Sequence, residues 1–371
     1  MTTTSKEESG RPVVAILTVS GGPSYFRGNQ ANFEDIVRTG QDMGFPVYVV
    51  TIKDLKLQGE RIKGYTLNSG GEWERQLFPL PDVIYNRIPQ REDELKPNVR
   101  KKIKECLVHP TIKFFNPYFF NKWHLFEWLK SSKATKHLVP KTRRLRGESG
   151  LQMMLERYPS LYLKPESGKA GKGIMMLKYQ KDKPLPYRLK VQHHKSSTTY
   201  KGANMHRLWK RIKSETGTSR YIVQQAIELT SFEQRPFDLR VLLQKTGKGQ
   251  WSVTGVGARL AGSKSITTHV PRGGSIEDPS KLLTAVFGEG TAPGMINRVK
   301  TTAVVIARQI EKASGHQHGE MSMDLGVDTS GGIWFFEANA KPMKFDEPHI
   351  RQKSLERIFH YSQYLVNVQK P

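Results

Sequence analysis

Residues 321–340 read MSMDLGVDTSGGIWFFEANA. This stretch constrains the fold more than any other part of the chain. Two apolar runs flank a TSGG turn, the pattern of an antiparallel hairpin. A turn centred between Ser330 and Gly331 pairs Asp324 with Glu337. Directly opposed residues share one face of a sheet. Both carboxylates therefore face one side, Asn339 joins them two residues further on, and Trp334, Phe336 and Ala338 turn toward a core. Opposed carboxylates repel each other. A hard divalent cation resolves that repulsion, because Mg²⁺ takes oxygen ligands from a few carboxylates, phosphates and waters. Asp324, Glu337 and Asn339 form such a set, for Mg²⁺ or Mn²⁺. The alternative is that Glu337 pairs with a Lys or Arg of this basic chain and Asn339 caps a turn. Asp328 reads as a turn residue.

A second stretch, LKPESGKAGKGI at 163–174, holds Gly168, Gly171 and Gly173 with Lys164, Lys169 and Lys172. It lacks the lysine of a Walker A loop, since Ile174 follows Gly173. It also lacks the order of a dinucleotide fingerprint, and β-prone runs flank it on both sides. The reading is strand, glycine turn, strand: either a phosphate-gripping hairpin or a basic surface hairpin.

Around these two hairpins the chain divides. PVVAILTV, an amphipathic helix over Gln30–Met43 and PVYVVTI make a β-α-β unit, which implies a parallel sheet. DVIY, a basic helix over 94–108 and KFFNP complete an open α/β domain over 12–115, after a loose tail at 1–11. Helices over 121–130 and 150–158 precede the glycine hairpin. YIVQQAI, PFDLRVLLQK and QWSVTGVGARLA read as strands, and helices cover 298–313 and 351–366. The remainder divides into 116–225, with the glycine hairpin, and 226–371, with the carboxylate hairpin. Both are built on antiparallel sheets. No run approaches the ~18 apolar residues of a membrane span. No signal peptide is visible. Cys106 is the single cysteine, which excludes an intrachain disulfide or cysteine cluster and fits a reducing, cytoplasmic compartment.

Charge narrows the partners. The chain has 59 Lys+Arg against 34 Asp+Glu, a formal net charge of +25. Residues 181–220 hold eleven Lys/Arg against Asp182 and Glu215. Anionic partners follow. No zinc-finger spacing or RNP signature is present, so nucleic acid is not the expected one, and the stretch reads as a solvated basic face beside an anion-binding cleft.

Taken in order, these elements resemble the ATP-grasp superfamily. The resemblance covers about residues 115–371, and the preceding α/β domain resembles the usual pre-ATP-grasp domain. Lys122 in NKW and Lys164 in LYLKPESG match the two nucleotide-binding lysines. Residues 167–173, with Ser167, Gly168, Gly171 and Gly173, match the loop that covers the phosphates. YIVQQAI matches the hinge strand, where Gln224, Gln225, Ala226 and Ile227 would border the nucleotide and Gln225 and Ile227 the adenine edge. FDLRV supplies Asp238 and Arg240, and GARLAGSKSITTHVPRGG supplies Arg259. Asp324, Glu337 and Asn339 fit the metal set. Within the superfamily, VIYNRIP, FFNPYFFNKWHLFEWL and FFEANAKPM resemble the YheC/YheD group, described as endospore coat-associated proteins. One departure stands at the substrate end: Ala340-Lys341-Pro342-Met343 follows Asn339 where many ligases have a small residue, Pro and Gly. Lys341 is a candidate substrate contact there.

The resemblance implies ATP and Mg²⁺ as cofactors and a carboxylate–amine or carboxylate–thiol ligase working through an acyl phosphate. Arg240 and Arg259 would be catalytic, stabilising the transferred phosphoryl group or holding the acceptor carboxylate. The basic excess implies an acidic peptide or polymer as substrate, and the narrower group implies spore-coat partners. A kinase acting on a hydroxyl, and a non-catalytic polyanion-binding coat protein, are the rival readings. His269 is read as a loop histidine or a substrate contact.

Overall fold

A computed structural model of the chain describes residues 10–22, 24–168, 171–194, 196–263, 265–345 and 347–368. Lys169 and most of the expected tail lie outside them. Three large sheets carry the fold.

The first sheet takes its parallel core from Val14–Thr18, Val47–Thr51, Val83–Asn86 and Lys113–Phe115. An antiparallel hairpin, Arg61–Leu67 with Trp73–Pro79, extends one edge. Sequence patterning does not mark this hairpin, because its second strand is largely exposed and carries charge. Both faces of the parallel strands are apolar, as burial on two sides demands. Val14, Ile16, Val47 and Val49 pack on one face, and Ala15, Leu17, Tyr48 and Val50 on the other.

The second sheet is antiparallel, built from Thr142–Arg144, Ser160–Pro165, Met175–Tyr179, Tyr187–Gln192, Ser197–Gly202 and Tyr221–Gln225. Leu161, Leu163, Leu177, Leu189 and Val223 cover one face against helices Glu148–Arg157 and Met205–Thr216. The basic stretch at 181–220 is thus two strands and a helix of this unit.

The third sheet holds Arg235–Lys245, Trp251–Leu260, Ser275–Glu277, Glu320–Val327 and Ile333–Asn339. Alternation divides it sharply. Leu239, Val241, Leu243, Met321, Met323, Leu325, Phe335 and Ala338 meet helix Ala292–Ser314 in the core. Asp238, Arg240, Ser322, Asp324 and Glu337 lie on the other face, by the register of the ladders.

Two helices cross the units. Lys122–Lys130 sends Leu125, Phe126 and Leu129 into the core of the third sheet. Pro348–Asn367 sends Leu355, Ile358, Phe359, Tyr361 and Leu365 into the core of the first. Asn116, at φ 57°, is fully buried at the same junction. Its side chain donates to the Glu320 and Ala340 carbonyls and accepts from the Gly319 amide at 2.7 Å. Asn tolerates this left-handed backbone better than most side chains. No helix among the described residues is long and apolar enough to cross a membrane.

Candidate active site

The carboxylate hairpin folds with Asp324 opposite Glu337 and Ser322 opposite Asn339. A register shift then falls between Asp324 and Leu325, which pairs with Phe335. The extra residue of such a bulge changes which side chains face inward. Phe335, not Phe336, is therefore fully buried in the core. Phe336 sits below Lys164, whose Nζ lies 5.4 Å from the ring centroid. Trp334 is half-buried and donates to Asp328 Oδ2 at 2.7 Å. Asp328 also accepts from the Ser330 and Gly332 amides, so it is a turn residue. The expectation that Trp334 and Phe336 both enter the core is corrected: strict alternation holds only as far as the bulge.

Each carboxylate has one oxygen committed and one free. Arg259 Nη2 meets Asp324 Oδ2 at 2.7 Å, and the same guanidinium grips Asp238 at 2.9 and 3.0 Å. Thr268 Oγ1 also donates to Asp238. Asp324 Oδ1 is buried without a hydrogen-bond partner among the described residues. Lys122 forms an ion pair with Glu337 Oε1, and Oε2 has no protein partner among the described residues. The packing of Phe126 against Phe335, ring centroids 5.8 Å apart, sets the helix of Lys122 beside the strand of Glu337. Burial alone would raise the Asp324 carboxyl; Arg259, then Arg240 and His269, outweigh it and hold it well below the usual carboxylate range. An uncompensated buried oxygen is costly, and a divalent cation fits it.

Lys164 lies across the cleft. Its Nζ donates to Gln224 Oε1 at 2.7 Å, and Gln224 Nε2 donates to Thr142 Oγ1 at 3.0 Å. Burial, then the charge of Lys122, lowers Lys164 from 10.5 to about 8. Gln225 is turned away, its Oε1 accepting from the Lys141 amide at 3.3 Å. The Ala226 amide donates to the Ser160 carbonyl at 3.0 Å, and Ile227 is half-buried. The glycine stretch is an antiparallel hairpin that pairs Leu163 with Met175. Gly171 and Gly173 take φ +69° and +74°. Ser167 and Gly168 are exposed.

Arg240 is half-buried, with Nη2 3.3 Å from Ser322 Oγ. Asn339 is half-buried without a side-chain partner among the described residues. The structure thus gathers Lys122, Lys164, Gln224, Arg240, Arg259, Asp324, Glu337 and Asn339 into one polar cluster between the second and third sheets. Lys341 does not join them. Its ammonium is buried against Glu94 and lies 4.6 Å from the Phe119 ring centroid, tying the first unit to the third. Its place just after Asn339 suggested a substrate contact; the pairing with buried Glu94, distant in sequence, turns it to the unit junction instead.

His269 belongs to the site more closely than its loop position suggests. One of its ring nitrogens lies with Asp324 and Glu337 oxygens, all within 4.8 Å of one another. Burial, then Arg259, lowers its affinity for a proton. Nothing periodic marks a loop histidine as a site residue.

Two sheets closing on a cleft with this polar set define an ATP-grasp fold. The chain aligns over 96% of its length with 97% of D-alanyl-alanine synthetase A from Vibrio cholerae O1 biovar eltor str. N16961, at TM-score 0.52 and 13% identity. It aligns over 95% of its length with 100% of the ATP-grasp ligase PsnB, complexed with a phosphomimetic variant of its minimal precursor, Mg and ADP, at TM-score 0.51 and 12% identity. At such identities the likeness concerns the fold. The YheC/D-like ATP-grasp profile matches residues 111–365, and the chain belongs to that family. Endospore coat-associated protein YheD of Bacillus subtilis (strain 168) is 27% identical over 370 residues, covering 95% of this chain and 79% of that protein.

Proposed function

We propose that this protein is an ATP- and Mg²⁺-dependent ligase that activates a substrate carboxylate as an acyl phosphate and passes it to an amine or thiol. The observation that carries this reading is the pair of half-committed carboxylates. Asp324 and Glu337 each keep one oxygen free on the face where Lys122, Lys164, Arg240 and Arg259 converge.

Lys122 and Lys164 bind the nucleotide phosphates, and release Glu337 and Gln224 to do so. The glycine hairpin covers the phosphates and excludes water. Gln224, Ala226 and Ile227, with the backbone of Gln225, border the base. Asp324, Glu337 and Asn339 hold Mg²⁺, which when bound neutralises phosphate charge. A substrate carboxylate oxygen attacks the γ-phosphorus and ADP leaves. The amine or thiol then attacks the acyl carbon, inorganic phosphate leaves, and the nucleophile's proton passes to solvent. Arg240 offers a fork for the acceptor carboxylate. Arg259, held by Asp238, fixes Asp324 and adds positive potential.

An acidic polypeptide is the proposed substrate class. Lys164, Lys178, Arg188, Lys190 and Lys201 share the cleft-side face of the second sheet by ladder register. Lys178, Arg188, Lys190 and Lys201 have no ion-pair partner among the described residues, and Arg188 Nε is buried without a hydrogen bond. A basic track therefore runs from the nucleotide cleft to the sheet edge. Action in the mother cell and association with the spore coat are proposed from the name of YheD.

Hydroxylamine tests the reading. Incubated with Mg²⁺-ATP, an acidic polypeptide and hydroxylamine, the protein should release phosphate and form a hydroxamate. A stable phosphoester instead would make it a kinase. ATP binding without turnover on any acidic acceptor would favour a non-catalytic polyanion-binding role.

A further inference from the structure

We infer that His269 is a further protein ligand, beside Asn339, of the ion held by Asp324 and Glu337, and that this nitrogen shifts the site toward Mn²⁺ relative to Mg²⁺. The inference rests on the reading of the carboxylate hairpin as a metal site.

Two buried atoms on separate elements lack hydrogen-bond partners: Asp324 Oδ1 and His269 Nδ1. Buried polar atoms are nearly always satisfied. Both orphans belong to residues of one cluster, where an ion would serve the carboxylate oxygen. The ligand atoms of His269, Asp324 and Glu337 lie within 4.8 Å of one another. Donors about 2.1 Å from one ion span about 4 Å, so small side-chain shifts complete the set. The competing protein cations take other oxygens: Arg259 holds Asp324 Oδ2, and Lys122 holds Glu337 Oε1.

The loop that presents His269 is pinned on both sides. The Ile266 amide donates to Gln192 Oε1 at 2.9 Å, and Tyr162 Oη donates to the Ile266 carbonyl at 3.1 Å. Thr268 donates to Asp238, and the Arg272 amide donates to the His269 carbonyl at 2.8 Å. These contacts aim the imidazole before any ion arrives. Gly171 closes over it: a Cβ there would lie 3.3 Å from His269 Nδ1. Nδ1 is buried beside Gly171, and the missing side chain there leaves the ring room. Oxygen-only sets suit Mg²⁺, and an imidazole raises affinity for transition ions along the Irving–Williams order.

The test loads the protein with Mn²⁺ and tripolyphosphate, which contains no nitrogen. Pulsed EPR should show ¹⁴N modulation from a directly bound imidazole, replaced by the ¹⁵N pattern when histidine is ¹⁵N-labelled. In His269→Gln the modulation should vanish, with Mn²⁺ still bound and the Mn²⁺:Mg²⁺ affinity ratio lowered about tenfold. Mn²⁺ that binds in a Glu337-dependent way without ¹⁴N modulation would overturn the inference and leave the carboxylate site standing. Mn²⁺ binding indifferent to Glu337→Gln would overturn both. The labelling arm needs no variant to fold.

Discussion

Lys122 and Glu337, 215 positions apart in the chain, form an ion pair whose side chains are 9% and 17% exposed. The pair lets the site hold its carboxylate without an ion. On the proposed reading it also sets the charge that nucleotide binding must rearrange, with Lys122 turning to phosphate and Glu337 to the cation. Removing one partner leaves the other largely buried and uncompensated. Glu337→Gln should cost roughly 3 kcal/mol in urea unfolding, and Lys122→Met with Glu337→Gln should cost less than the two single changes added together. Strict additivity in the cycle would show that the two residues are not coupled.

The proposed phosphate-binding role of Lys164 predicts that nucleotide binding depends on pH. Its folded value is lowered from 10.5 to about 8, first by burial and then by Lys122. Between these values the unfolded chain holds a proton that the folded chain has lost, so stability rises with pH across that window. Lys341, also lowered from 10.5 to about 8 by burial, adds in the same direction. A bound phosphate favours charged Lys164. At pH 8.5, Mg²⁺-ATP binding should therefore take up protons, seen as a dependence of titration heat on buffer ionisation enthalpy. Lys164→Met should abolish that uptake; an unchanged uptake would assign it elsewhere.

Gly173 shapes the glycine turn. It has φ +74°, and a Cβ there would fall 2.7 Å from Tyr221 Oη, which donates to the Gly173 carbonyl at 3.0 Å. Gly173→Ala incurs a left-handed backbone cost of about 1–2 kcal/mol together with the clash. Tyr221→Phe relieves only the clash. Amide hydrogen exchange across residues 163–175 should accelerate in Gly173→Ala and recover partly in the double variant. No change in exchange would mean that the turn relaxes freely.

The basic track predicts a salt-dependent substrate interaction. Lys178→Glu with Lys190→Glu and Lys201→Glu should weaken binding of poly-glutamate and flatten its dependence on log salt. ATP affinity should hold, since these three side chains stand outward from Lys164. Equal loss of nucleotide binding would point to misfolding of the sheet. Unchanged poly-glutamate binding would move the acidic substrate to another surface.

Glu320 shows how deeply charge is built into the unit junctions. It receives hydrogen bonds from Tyr85, Arg87 and Gln244 in one buried network. Burial raises its carboxyl, against the pull of Arg87. None of this was visible in the spacing of VIYNRIP, because a buried polar network depends on which segments pack together.

The amino-acid order alone determined what is local. Alternation and a short turn place Asp324 opposite Glu337, since hairpin register depends on neighbours a few residues away. Glycines at 168, 171 and 173 mark a turn that side-chain-bearing residues resist. Parallel strands announce themselves as continuous apolar runs. Tertiary structure decided the rest. The bulge that sends Phe335 to the core and Phe336 to the cleft arises where the two strands must fit helix Ala292–Ser314 on one side and Lys164 on the other. His269 reaches the carboxylates through a loop with no period to read. Lys122 finds Glu337, and Lys341 finds Glu94, because charge pairing acts across space and leaves no spacing in the chain.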